Sequence, residues 1–222
     1  MRTMVFDLDG TLADTSADLI AAANACFRGL GHGDLLAPGA DALTAFHGGR
    51  AMLRLGFTRL GEVWTEAMVD AQYPLLLAAY AEVIDRETRL YPGAMAAVAR
   101  LKVAGWRTGI CTNKPEALAK TLVERLGIRE AFDALIGADT LPVRKPDPAP
   151  LAETVRRAGG RLDRSILLGD TDTDRQTARR AGVPSVLVTF GPEGQGVARL
   201  APEALLDDYD ALFDIAEALL PA

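Results

Sequence analysis

Two aspartates one residue apart follow an apolar run in "MVFDLDGTLADT", residues 4–15. Met4, Val5 and Phe6 favour burial, and Asp7 and Asp9 do not. A strand running over residues 3–8 would send alternate side chains to the same face, placing the two carboxylates side by side. Such a pair repels unless a cation or a shared proton compensates it. Three further polar groups invite the same question: Thr112, Asn113 and Lys114 after "WRTGIC", Lys145 in "RKPDP", and "GDTDTD", Gly169 to Asp174, after "SILL".

The elements that must carry these groups alternate. Apolar runs at residues 106–112, 134–139, 165–170 and 184–190 read as buried strands. Helical spacing fills 93–104, 114–128, 148–159, 174–182 and about 208–220. Strands alternating with helices predict an α/β fold, with a parallel sheet covered on both faces. Between residues 15 and 87 only helical patterns appear, and Pro74 predicts a kink or a split in the last of them. The domain expectation is therefore a core of residues 1–14 and 88–222, with a helical insertion over 15–87.

In parallel sheets ligands bind beyond the carboxyl ends of the strands. All four polar groups fall there, on one edge. Converging carboxylates, a lysine and small hydroxyl or amide groups suit a hard divalent cation and a phosphate. The cation would remove the repulsion between carboxylates. Lys145 would supply a second positive charge, and Thr112 and Asn113 lie just before a helix N-terminus, which favours anions.

Other readings of these residues compete. An EF-hand loop fails in register, because its glycine position would be Leu12 counted from Asp7 and Arg175 counted from Asp170. Asp172 alone reads as a helix cap, whereas capping is a poor account of Asp7 inside an apolar segment. Lys145 in isolation would be a solvated lysine, and only its place on the shared edge raises it. Cys111 reads as a core residue beside the site.

The full 222-residue chain, with 49% hydrophobic and 24% charged residues, has the composition of an ordinary globular protein. Its formal net charge of −6, with arginines scattered, argues against nucleic acid as a partner. Two cysteines, Cys26 and Cys111, give neither a disulfide framework nor a metal spacing, and fit a reducing compartment. Asp7 comes too soon for a signal peptide, and "YPLLLAAYAEVI" is too short to span a bilayer, so no membrane partner and a cytoplasmic location are expected.

"DLDGTL", "CTNK", "RKPDP" and "LGDTDTD", in this order, resemble the four motifs of the haloacid dehalogenase superfamily. With "DGTLADT" and "AFHGGRAMLRLGF", the chain is most similar to the phosphoglycolate phosphatase-like subgroup. The resemblance implies a Rossmann-like three-layer core with an inserted all-helical cap. It implies a magnesium-dependent phosphatase acting on a small phosphate monoester through an aspartyl-phosphate, with 2-phosphoglycolate as the candidate substrate. Asp7 would be the nucleophile and Asp9 the acid and base. Asp7, the backbone carbonyl of Asp9, and Asp170 would hold Mg2+. Thr112, Asn113 and Lys145 would bind the phosphoryl group, and Asp174 would orient Lys145 or a metal-bound water. A sugar-phosphate mutase of the superfamily is the nearest alternative, although mutases often carry Glu where Gly169 stands. A dehalogenase would use neither magnesium nor an aspartate at position 9. A catalytically silent phosphate-binding module is the alternative outside enzymes, and retention of Asp7, Asp9, Lys145 and Asp170 opposes it. Within the cap, Arg50 is the candidate for substrate choice, with Gly48 and Gly49 allowing close approach. Arg54, four residues on, is either its companion or surface charge, and His47 is a loop residue. The oligomeric state expected is monomer or homodimer.

Overall fold

The structure is a computed structural model and describes residues 1–61 and 63–221. The chain forms two compact units, Met1–Ala13 with Leu90–Ala222, and Asp14–Arg89.

The larger unit is built on β1 (Thr3–Phe6). Every residue of this strand is buried, as a strand packed on both faces requires. The chain crosses between the units at β2 (Ala13–Asp14) and β3 (Arg89–Leu90), which pair as a two-stranded ribbon. The smaller unit, between them, holds four helices: α1 (Ser16–Gly29), α2 (Ala42–Phe46), α3 (Gly49–Arg59) and α4 (Glu66–Val83). The larger unit resumes with α5 (Ala94–Val103), β4 (Arg107–Cys111), α6 (Glu116–Arg125) and β5 (Ala134–Ile136). It continues through α7 (Ala149–Arg157), β6 (Ser165–Gly169), α8 (Asp172–Ala181), β7 (Ser185–Val188), β8 (Ala204–Leu206) and α9 (Leu212–Leu219).

Six parallel strands run in the order β5-β4-β1-β6-β7-β8, with helices on both sides of the sheet. β1 is central. Phe6 is level with Ile110 of β4 and with Leu168 of β6. Asp7 is therefore level with Cys111 and Gly169, and Thr112 and Asp170 come one residue later on either side. Strand order reverses at β1, so the clusters meet at the switch point, where such sheets take ligands.

Three expectations are corrected. β1 stops at Phe6 rather than running to residue 8, so alternation along a strand does not set the relation of Asp7 to Asp9. α4 is one helix through Pro74, so of the kink or split expected there the split is excluded. Pro74 and Asp70, whose carbonyl it deprives of a partner, are both exposed, so water can serve that carbonyl. Residues 204–206, unassigned by the pattern, form the edge strand β8.

The helical unit has its own core. Phe27 of α1 and Phe57 of α3 meet edge to face at 5.3 Å, and Trp64 stacks on Phe57 at 6.4 Å. Asp18 accepts hydrogen bonds from the backbone N–H groups of Glu87 and Thr88, tying the start of α1 to the end of the unit. Gly56 packs directly under the Phe27 ring, and a Cβ there would lie 2.1 Å from its Cζ. Gly56→Ala is expected to destabilise this unit by about 1–3 kcal/mol through overpacking. Denaturant titration followed by Trp64 fluorescence would show a lower midpoint; an unchanged midpoint would refute the account.

Candidate active site

Asp7 is the first residue beyond β1. Its backbone N–H donates to the carbonyl of Leu168, so the sheet ladder continues one residue past the strand and fixes the aspartate at the edge. Its Oδ1 accepts from the N–H of Leu8 at 2.7 Å, and Lys145 Nζ lies 3.0 Å away. Gly10, with φ of 78°, turns the chain away in a conformation that favours glycine. Asp170 follows β6, and its Oδ1 accepts a hydrogen bond from Thr11 Oγ1 at 3.0 Å.

Asp174 closes the arrangement. It lies in the first turn of α8 and is fully buried. Its Oδ1 accepts from Lys145 Nζ at 2.6 Å, and its Oδ2 accepts from Thr171 Oγ1 at 2.6 Å and from the Thr171 N–H at 3.2 Å. The cap of α8 is thus Thr171 supported by Asp174, and the expectation that Asp172 caps is corrected. Gly169 is obligatory for this packing, since a Cβ there would sit 2.4 Å from Asp174 Cβ.

Oxygen atoms of Asp7, Asp170 and Asp174 all lie within 4.8 Å of one another, and all three residues are buried. Among the described residues, the Lys145 ammonium is the cation paired with this cluster, through Asp7 and Asp174. Burial raises the Asp7 pKa to about 6 against the pull of Lys145, with Asp174 and Asp9 adding to the rise. Burial, Asp174 and Asp7 likewise push the Asp170 pKa well above its ordinary value. Burial works against the Lys145 ammonium, yet Asp174 and Asp7 hold its proton above the ordinary lysine range. The excess negative charge in a buried cluster of hard oxygen donors fits a divalent cation.

Asp9 is placed differently. Its Oδ1 takes the ammonium of Lys114 at 2.7 Å, so the two aspartates of the opening motif face two different lysines. Thr112 Oγ1 accepts from the Lys114 N–H at 3.2 Å, and Asn113 Nδ2 donates to the backbone carbonyl of Lys145 at 2.9 Å. Asn113 thereby fixes the loop that presents Lys145. Cys111 belongs to the core cluster with Val5 and Leu167, and burial pushes its thiol up to about 11, which keeps it neutral. Thr11 and Lys114 went unassigned in the sequence, although each lies inside a motif that drew attention.

In the helical unit, Arg50 lies over the Tyr73 ring at 4.6 Å and pairs with Asp70. Arg54 forms a two-pronged exposed pair with Glu66, both bonds 2.8 Å, and is surface charge. His47 follows α2 and is exposed. Gly48 has φ of 94°, while Gly49 packs on α4, where a Cβ would meet Leu76 Cδ2 at 3.0 Å. Close approach of two helices, rather than of a ligand, accounts for Gly49.

A family model described as haloacid dehalogenase-like hydrolase matches residues 4–188. The chain belongs to this family. Among its relatives, the phosphoglycolate phosphatase of Mesorhizobium japonicum is 40% identical over 222 residues, covering 99% of this chain and 96% of that protein. The phosphoglycolate phosphatase of Agrobacterium fabrum is 39% identical, covering 94% and 89%. The crystal structure of a predicted phosphoglycolate phosphatase from Haemophilus somnus 129pt superposes with a TM-score of 0.81, covering 97% of each chain. At 24% identity it speaks for the hydrolase fold alone. Among the described residues, no helix is long and apolar enough to cross a membrane.

Proposed function

We propose that this haloacid dehalogenase-like hydrolase is a magnesium-dependent phosphatase whose substrate is 2-phosphoglycolate. The observation that carries the chemistry is Asp7, buried at the end of the central strand, with Lys145 at 3.0 Å and Asp170 and Asp174 beside it. The full-length relatives carry the substrate.

Asp7 attacks phosphorus, forming an aspartyl-phosphate as the ester P–O bond breaks. Asp9 gives its proton to the departing alkoxide. It then takes a proton from the water that attacks phosphorus and frees Asp7 and inorganic phosphate. Lys145, held by Asp174, balances charge on the phosphoryl oxygens. Thr112 offers its hydroxyl to them. Asp7, Asp170 and the Asp9 carbonyl would hold Mg2+, which when bound neutralises phosphoryl charge and lets the carboxylates remain ionised.

The deciding experiment is turnover of a panel of small phosphorylated metabolites with Mg2+ present. The highest kcat/KM is expected for 2-phosphoglycolate; a neutral sugar phosphate ranking clearly above it would overturn the substrate assignment.

In the helical unit we assign substrate choice to Arg50. Its exposed pair with Asp70 contributes little, so a substrate carboxylate can compete for the guanidinium. Arg50→Ala is expected to lose about 2–4 kcal/mol of transition-state binding, roughly a thirtyfold to thousandfold fall in kcat/KM for phosphoglycolate. The loss on a neutral aryl phosphate should be far smaller. Equal losses on both would remove Arg50 from this role.

A further inference from the structure

We infer that Lys114 is a specificity-determining residue at the strand-end site, whose ammonium receives the carboxylate of an acidic leaving group. The inference rests on the phosphatase reading and adds to it a residue outside the phosphoryl-binding and metal-holding set.

Two buried lysines stand at the edge of the sheet and serve different ends of the reaction. Lys145 lies among Asp7 and Asp174, where phosphorus is attacked. Lys114 lies on Asp9, the group that must reach the departing oxygen, with its ammonium 2.7 Å from Asp9 Oδ1. The Lys114 side chain is only 4% exposed, and that of Asp9 is 16% exposed. A solvated surface lysine does not sit this way, and holding an ammonium out of water demands anions around it. β4 and the N-terminus of α6 fix its position: Thr112 takes its backbone N–H, and Pro115 begins the turn into the helix.

The chemistry of the leaving group follows from that placement. A proton donor works within about 2.6–3.2 Å of the atom it serves. An ammonium one hydrogen bond beyond Asp9 is therefore within roughly 5–6 Å of the ester oxygen. In phosphoglycolate one methylene separates that oxygen from a carboxylate, which brings carboxylate oxygens within reach of the ammonium. A charge-assisted N–H···O bond then forms with an anion that only an acidic leaving group has. Neutral alcohols of the same size leave Lys114 with Asp9 and gain nothing from it. Selectivity of this kind is read in the ratio of specificity constants between substrates.

The test uses Lys114→Met, which keeps length and removes charge, and Lys114→Gln, which keeps an N–H for Asp9 without charge. kcat/KM is measured for 2-phosphoglycolate, ethyl phosphate and an aryl phosphate. Ethyl phosphate needs the Asp9 proton as phosphoglycolate does, but carries no carboxylate. We expect the ratio of phosphoglycolate to ethyl phosphate to fall at least about thirtyfold in both variants, chiefly through KM. Lys114→Arg should recover much of it. If phosphoglycolate and ethyl phosphate fall together while the aryl phosphate is spared, Lys114 only positions Asp9 and the inference is overturned. A uniform loss on all three substrates makes it structural, which also overturns the inference. Unmodified protein that turns over the aryl phosphate but not phosphoglycolate overturns the substrate reading itself, and the specificity role with it.

Discussion

Asp7→Asn is expected to abolish turnover, lowering kcat by at least about ten-thousandfold on every phosphate ester. The amide keeps the size of the side chain and its place beyond β1, but it cannot form an aspartyl-phosphate. The same change at Asp9 should discriminate among substrates. Asp9→Asn loses a proton donor worth about a hundredfold to ten-thousandfold on an alkyl phosphate, whose leaving oxygen must be protonated. On an aryl phosphate, whose phenolate departs without a proton, the first step should be largely spared. The phosphoenzyme should then accumulate, because no base remains to activate water. Rapid acid quench with labelled substrate would reveal it. Absence of label on the protein, or an alkyl phosphate turned over as fast by Asp9→Asn as by the unmodified chain, would sink this assignment.

Removal of divalent cations is expected to reduce kcat by at least about a thousandfold, with recovery on adding Mg2+. Full activity after exhaustive chelation would contradict the cluster's reading as a cation site. The same cluster predicts a stability effect with a definite sign. Burial raises the Asp7 pKa to about 6 from an ordinary 3.8, and Asp170 moves the same way. A carboxyl whose pKa rises on folding binds its proton more tightly in the folded chain. Its destabilising contribution is absent below the ordinary value and develops as pH climbs through about 6. Mg2+ relieves that contribution, whereas protons compete with the ion. The rise in Tm on adding Mg2+ should therefore be larger at about pH 7.5 than at about pH 5. Equal shifts at both values would mean that the carboxylates are not what the ion meets.

The strand-end clusters were legible because both signals are local. Apolar runs mark β1, β4 and β6, and Asp7, Thr112 and Asp170 follow them directly in the chain. Parallel register then does the rest. Lys114 was not legible as a site residue, since a lysine before Pro115 and a helix reads like any solvated lysine. Its burial against Asp9, 105 residues away, is a property of the fold. Thr11 is similar: its hydroxyl serves Asp170, and nothing adjacent announces that partner. β8 escaped because its three residues are Ala204, Leu205 and Leu206 after a glutamate, a helix-favouring composition; pairing with β7 overrides it. At α8 the sequence points to Asp172 as the cap, and only the geometry shows Thr171 and Asp174 acting together instead.

Gly169 has a consequence for how this site can change over evolution. The space that any side chain at 169 needs is held by Asp174, and Asp174 holds Lys145. A glutamate at 169 therefore cannot be acquired as a neutral first step. It displaces the anchor of the phosphate-binding lysine before any new chemistry exists. Change at 174 first is no easier, because it takes from the buried Lys145 ammonium its shorter ion pair and leaves Asp7 as its remaining carboxylate partner among those described. The two positions are epistatic, and paired substitutions should depart strongly from additivity. Steric order of events thus protects the Asp174–Lys145 pair, because the clash begins at the first carbon of any side chain placed at 169.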